Sequence, residues 1–281
     1  MEETETEKRM AWAICGSGAQ PMSLTLVATL LVLGGIGGFA AGLLGVGGGV
    51  LLFPLLLYVP PLLGLESLDI RTVAALVISQ VFFASLIGGT AHWRSGRVHG
   101  KLTLVAAVAA ATGSFLGGVA SKWVSEWFLL FLFGVVTLLA AGMMLLPVSS
   151  REQEEIPLEK VVVPYVPLAF LSLAKGAVVG FIGAGNFVFV PLLIYVLKVP
   201  TRIAIGSNLV IAVFTTVSGF LGKLLTGQVP FFMAVAVISG AALGALIGER
   251  SHGQASPRVL RYVYAGVVGL VGIRIWLTLL F

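Results

Sequence analysis

Apolar runs of about twenty residues follow one another along this chain, and at ~1.5 Å of rise per residue each is long enough to cross a hydrocarbon layer about 30 Å thick as a helix. They fall at 24–45, 72–91, 102–119 and 128–146, and again at 166–182, 203–222, 231–248 and 259–280. A water-exposed surface could not hide them, since 58% of the 281 residues are hydrophobic, 10% are charged and the mean hydropathy is +1.06. The sequence therefore predicts an all-α, polytopic integral membrane protein with about eight long transmembrane helices. Helices satisfy their own backbone polar groups, which lipid cannot do.

Two shorter apolar runs, 50–60 and 188–199, accompany the long ones. At about a dozen residues each reaches only ~18 Å as helix, so they read as broken or re-entrant segments that do not cross alone. Each half of the chain then holds four long runs and one short one. Between the halves, PVSSREQEEIPLEKVVVP (147–164) is the one sizeable polar stretch, and its prolines and charges disfavour a membrane helix. The expected organisation is a solvated tail over 1–23, a membrane repeat over 24–147, a polar linker over 148–164 and a second repeat over 165–281. The first nine residues, MEETETEKR, are too acidic for the start of a signal peptide.

The halves also match residue by residue. GLLGVGGGVLLFPLLLY (42–58) is echoed by GFIGAGNFVFVPLLIY (180–195), and TAHWRSGRV (90–98) by LGKLLTGQV (221–229), which ends in the same Gly-x-Val. Charge then orients them. With the loop of Arg94, Arg97 and Lys101 in the cytoplasm, ten of the 17 Lys and Arg fall inside and six outside, and Lys175 stays within a span. Corresponding loops lie on opposite sides, which predicts an inverted repeat with both termini extracytoplasmic and the linker cytoplasmic. The assignment requires the first long run and the short one after it to make an even number of crossings, as a hairpin that dips in and returns does.

Basic residues scattered through short loops argue against nucleic-acid binding despite the net charge of +5. The single Cys15 provides neither a disulfide nor a metal-ligand set, no G-x-x-x-x-G-K-[ST] motif occurs, and no cofactor is expected.

Gly-rich turns at membrane depth are tolerated only when buried in protein or lining a wet cavity. Gly47, Gly48 and Gly49 in the first half, and Gly185, Asn186 and Phe187 in the second, precede short helices whose free N–H groups and positive dipole ends favour an anion. The plain alternative is that such glycines only let helices pack closely. Ser79 and Gln80, and in the matching helix Ser207 and Asn208, lie at similar depth and can either turn donors toward an oxyanion or bond neighbouring helices. Lys175 is the basic residue well inside a span, eight residues before Gly183, and reads equally as a substrate counter-charge or a snorkelling side chain. His92 and Arg94 are candidates for gating or coupling at a helix end, where a merely solvated role is the default. Trp93, Trp123, Trp127 and Trp276 read as interfacial anchors.

These residues carry a resemblance. GLLGVGGGVLLFPLLLY, GAGNFVFVPLLIY with AIGSNL after it, and HWRSGRV resemble the sulfite exporter TauE/SafE family of membrane transporters, over nearly the whole of residues 24–281. The resemblance implies a secondary transporter that moves sulfite, sulfoacetate or a related organosulfur anion outward across a bacterial inner membrane. The second motif departs from the pattern, with Asn186 and Phe187 where a further glycine is usual and one residue fewer. Partners expected are a small anionic substrate and membrane lipid, with proton coupling and homo-oligomerisation left open. No Asp or Glu falls inside an expected span, so a proton would have to ride on a histidine, Lys175 or the substrate itself. An anion channel, a carrier of another small anion and an intramembrane serine protease are the competing classes; the last lacks a histidine inside the spans.

Overall fold

Helix is the conformation that satisfies every peptide group within its own segment, and the described residues adopt it almost throughout. The computed structural model describes residues 23–44, 48–94, 98–145, 164–251 and 257–280. In chain order these form α1 (Leu24–Leu44), α2 (Gly49–Leu62), α3 (Ile70–Arg94), α4 (Gly100–Ala120), α5 (Glu126–Leu145), α6 (Tyr165–Ile182), an irregular α7 over 186–196, α8 (Thr201–Leu225), α9 (Phe231–Ser251) and α10 (Pro257–Leu280). Each expected run is present as a helix with ends shifted by a few residues. Eight of the ten are 18 to 25 residues long. Five contain apolar stretches that suffice to cross a membrane: Leu24–Gly42, Gly100–Ala120, Tyr165–Ile182, Gly206–Leu225 and Phe231–Gly248. Their outward faces are apolar too, as at Val32, Leu104, Leu116, Phe170 and Leu243, which is what a lipid solvent requires.

Small residues decide how the helices meet. A Cβ at Gly34 or Gly38 of α1 would run into the carbonyls of Val237 or Ala241 on α9, and one at Gly240 or Gly244 into those of Leu31 or Gly35. The α4–α6 pair is built alike: Gly113 and Gly117 lie on Leu173 and Ala177, while Gly176 and Gly180 lie on Ala110 and Ser114. Close backbone approach of this kind replaces the hydrophobic driving force that lipid removes. Residue numbers climb together across both contacts, so α1 runs parallel to α9 and α4 parallel to α6.

Other contacts order the ends. His99 at the start of α4 bonds Ser207 near the start of α8, and Ser121 at the end of α4 bonds Lys223 near the end of α8, so these two are parallel. We call the end where α4, α6 and α8 begin basal and the other apical. Arg71 Nη2 donates to the Val124 carbonyl at 2.9 Å, which places the start of α3 apically beside the end of α4. Gln228, just before α9, donates to the Gly118 carbonyl at 3.0 Å, so α9 also starts apically and α1 with it. Thr137 of α5 meets Gly272 while Gly134 meets Trp276, so α10 runs antiparallel to α5 and ends apically. Each short segment doubles back on the helix before it: Leu52 of α2 lies on Gly37, and Phe189 and Leu193 of α7, with Leu197 just after it, pack with Leu102, Leu168 and Ile203 near the basal starts of α4, α6 and α8.

Candidate functional site

A helix that stops inside a packed bundle leaves amides and carbonyls that something else must satisfy. The first break ends at Gly48, whose φ of 61° and ψ of −12° are left-handed, and α2 begins at the buried Gly49. A side chain at Gly48 would collide with the Gly37 carbonyl and Ala41, so only glycine fits both the backbone angle and the space. The second break starts at Gly183, φ 74°, whose amide caps α6 on the Val179 carbonyl at 2.7 Å and whose Cα is pressed against Ala74 and Ile78 of α3. Two residues on, Gly185 at φ 122° redirects the chain into a 3-10 turn (Asn186–Val188), one α-turn (Phe189–Pro191) and a π-turn (Leu192–Val196).

The two breaks meet. A methyl group placed on Gly49 would sit 3.6 Å from Ala184 Cβ, and 3.1 Å and 2.8 Å from Val77 and Val81. Helix α3 thus carries both interruptions, the first on Val77 and Val81 and the second on Ala74 and Ile78. Gly47 lies outside the described residues, as do the side chains of Phe187, His92 and Arg94; the backbones of the two basic residues belong to the last turn of α3.

Around this junction the buried polar groups divide into two sets. Ser79 donates within its own helix to the Ala75 carbonyl at 2.7 Å, and Ser207 Oγ accepts the His99 amide at 3.3 Å. The amides behave differently. Gln80 is fully buried, Asn186 and Asn208 are 5% exposed, and neither side-chain atom of Gln80 or of Asn186 has a hydrogen-bond partner among the described residues. Asn208 Nδ2 donates to the Asn186 carbonyl at 3.3 Å, which ties α8 to the second break, while its Oδ1 is unpartnered. Unsatisfied buried amides cost about 1–3 kcal/mol each, so the free ends of Asn186 and Asn208, held together by that bond, point to a ligand that completes them.

Lys175, 6% exposed, comes to the same region from α6. Its ammonium donates to Thr215 Oγ1 on α8 at 3.3 Å and stands 5.0 Å from the ring centroid of Phe189 on α7. One hydrogen bond and one ring face leave ammonium protons to spare. Thr215 and Phe189 are thus the partners that hold this lysine inward, and only the folded contacts identify them.

A second polar cluster, which the sequence reading missed, closes the apical end. The apolar run 203–222 ends just before Lys223, but α8 continues to Leu225 and buries it completely. Its ammonium donates to Ser121 Oγ at 2.8 Å and to the Phe181 carbonyl at 3.1 Å, and Ser121 in turn donates to Gln228 Oε1 at 2.9 Å. The signal was the apolar FLGKLL, in which the lysine interrupts the run without ending it. Beside it, at the surface, a hydrogen bond to Asp69 holds the Glu126 carboxyl above its ordinary value of 4.5, with burial and the Asp69 charge adding and Arg71 opposing.

The family model described as Sulfite exporter TauE/SafE matches residues 30–275. A "Probable membrane transporter protein" of Xylella fastidiosa is 32% identical over 246 residues, covering 85% of this chain and 91% of its own length. YdhB of Bacillus subtilis, a "Probable membrane transporter protein", is 26% identical over 232 residues, 82% of this chain and 89% of its own. MJ0441 of Methanocaldococcus jannaschii, described in the same words, is 22% identical over 269 residues, 89% and 95% of the two chains. No solved structure matches.

Proposed function

Because this chain belongs to the sulfite exporter TauE/SafE family of membrane transporters, we propose that it exports sulfite or a related small organosulfur anion by alternating access, holding the anion between the two helix breaks. The observation that carries the reading is the close approach of Gly49 to Ala184, two residues before Asn186, whose amide and that of Asn208 hold unpartnered atoms. Neutral donors suit a carrier. They stabilise an anion taken from water, yet they hold it less tightly than a cluster of cations and so let it leave.

The helices that correspond in sequence run in opposite directions: α1 against α6, α2 against α7, α3 against α8, α4 against α9 and α5 against α10. This supports an inverted repeat of two membrane halves, 24–147 and 165–281, in which eight helices cross and α2 and α7 return to the side from which α1 and α6 set out. In such a pair each half can take the conformation of the other, which moves the site's access from one face to the other. The exposed Lys101 and Lys198 at the basal end favour that end, with the linker, in the cytoplasm. Exposed Trp123 and Trp127 then anchor the apical, extracytoplasmic rim. In this reading Gly48, Gly49, Gly185, Asn186 and Phe187 form the two sides of the site, Gln80, Asn208, Ser79 and Ser207 its polar wall, and Lys175 its counter-charge. His92 and Arg94 stand at the cytoplasmic mouth.

Purified protein in liposomes, offered sulfite, sulfate, thiosulfate, sulfoacetate and taurine under imposed pH and voltage gradients, tests the reading. A carrier gives saturable uptake of a sulfur oxyanion that is accelerated by the same anion on the far side. Flux that neither saturates nor shows this exchange would assign a channel, and flux of none of the five would refute the proposal.

A further inference from the structure

We propose that the site selects a singly charged oxyanion that still carries a proton, of the hydrogensulfite kind, over the corresponding dianion; the inference rests on the placement of the substrate between the breaks. Two independent observations lead there, one of charge and one of hydrogen-bond direction.

Charge sets an upper limit. Lys175 and Lys223 are the two buried basic side chains among the described residues. Lys223 is committed to Ser121 and the Phe181 carbonyl at the apical end. Lys175 therefore supplies the site with at most one positive charge. A dianion would keep a whole charge uncompensated where water is scarce, and such burial is far costlier than that of a paired ion.

Hydrogen-bond direction is the sharper constraint. The amide of Asn208 cannot be turned over, because its Nδ2 faces the Asn186 carbonyl at 3.3 Å and a flip would set two oxygens against each other. Its Oδ1 is thus a fixed acceptor with no donor, and it is buried. Asn186 and Gln80 each add an unpartnered carbonyl oxygen as well as an unpartnered NH2 group. A fully ionised sulfur oxyanion offers acceptors only: it satisfies the NH2 groups and repels the Asn208 oxygen. An oxyanion that retains one O–H satisfies both. The proton then crosses with the anion, which gives a chain without carboxylates in its spans a route for coupling outward flux to proton movement.

The titratable groups packed against the junction are few. From α6 comes Lys175; from the start of α4 comes His99, through its amide on Ser207, with Lys101 exposed beyond it. The α7 side brings Tyr195 and the exposed Lys198, α2 brings Tyr58 and α8 brings Lys223 at its apical end, while α3 over 72–86 and α5 over 128–139 bring none.

The test is calorimetric binding to the purified full-length protein across pH values on either side of hydrogensulfite deprotonation. Sulfite is compared with methanesulfonate, a single charge without an O–H, and with sulfate, a dianion. The proposal expects apparent sulfite affinity to fall about tenfold per pH unit above that deprotonation, as linkage to one proton demands. Methanesulfonate affinity should be weaker and flat with pH, and in Asn208→Leu the difference between the two ligands should close. Sulfite affinity that rises with pH, sulfate that competes as well as sulfite, or a parallel fall for methanesulfonate would each overturn it while leaving the carrier reading in place. Binding of no anion at any pH would instead overturn that reading as well. The wild-type comparison decides the question even if the variant does not fold.

Discussion

Replacing Gly48 with alanine isolates what the first helix break demands of its backbone. Two costs add. An alanine at φ 61° bears the left-handed penalty, about 1–2 kcal/mol. Its Cβ would also overlap the Gly37 carbonyl oxygen and sit 3.0 Å from Ala41 Cβ, so α1 and α2 must separate, an overpacking cost of about 1–3 kcal/mol. The total is about 2–5 kcal/mol. Gly64 provides the control, for its φ is 73° but an added Cβ there meets nothing within 4 Å, so Gly64→Ala carries the backbone cost alone. Thermal unfolding in detergent ranks the two variants; at about 2–4 °C per kcal/mol for chains of this size, Gly48→Ala should melt several degrees below Gly64→Ala. Sulfite flux in liposomes should be largely lost in the first and kept in the second. If both variants melt together and both transport normally, the close packing of the first break on α1 is refuted.

Further outcomes follow from the same contacts. Lys175→Ala should weaken anion binding by about 1–3 kcal/mol, the range of a charge-assisted hydrogen bond, in a titration of sulfite; unchanged affinity would assign the lysine to packing against Thr215 and Phe189. Lys223→Met removes the donor to the Phe181 carbonyl and should destabilise the protein by about 1.5–3 kcal/mol, read as a lower melting temperature with sulfite affinity kept in the folded fraction. The raised Glu126 carboxyl binds its proton more tightly in the folded protein, so its stabilisation is full below 4.5 and is lost as pH rises through the folded value. Melting temperature should therefore decline slightly as pH climbs above 4.5, and Asp69→Asn should flatten that slope.

The helices were legible because hydropathy and span length obey one physical rule, and the ends of α4 and α9 fall within a few residues of the apolar runs that announce them. The short length of α2 and α7 was legible for the same reason. Which buried polar atoms are satisfied was not, because the answer depends on partners from distant segments. Nothing local distinguishes Ser207, bonded to an amide 108 residues away, from Asn208 beside it with a lone oxygen. Lys223 was misplaced because a loop and a buried network both interrupt an apolar run with a basic residue. Ser121 and the Phe181 carbonyl, which make burial tolerable, lie in other helices. The pairing of Gly49 with Ala184 likewise exists only after α3 has gathered both breaks.

Binding of sulfite to Asn186→Leu, measured by titration calorimetry beside the wild type, decides whether the anion sits at the helix breaks. Asn186 sits in the second break with both ends of its amide unpartnered, so its loss should remove one or two hydrogen bonds to the anion, each about 1.5–3 kcal/mol. One saturable site is expected in the wild type, with affinity lowered by at least about tenfold in a variant that still folds. Equal affinity in the two proteins would contradict it.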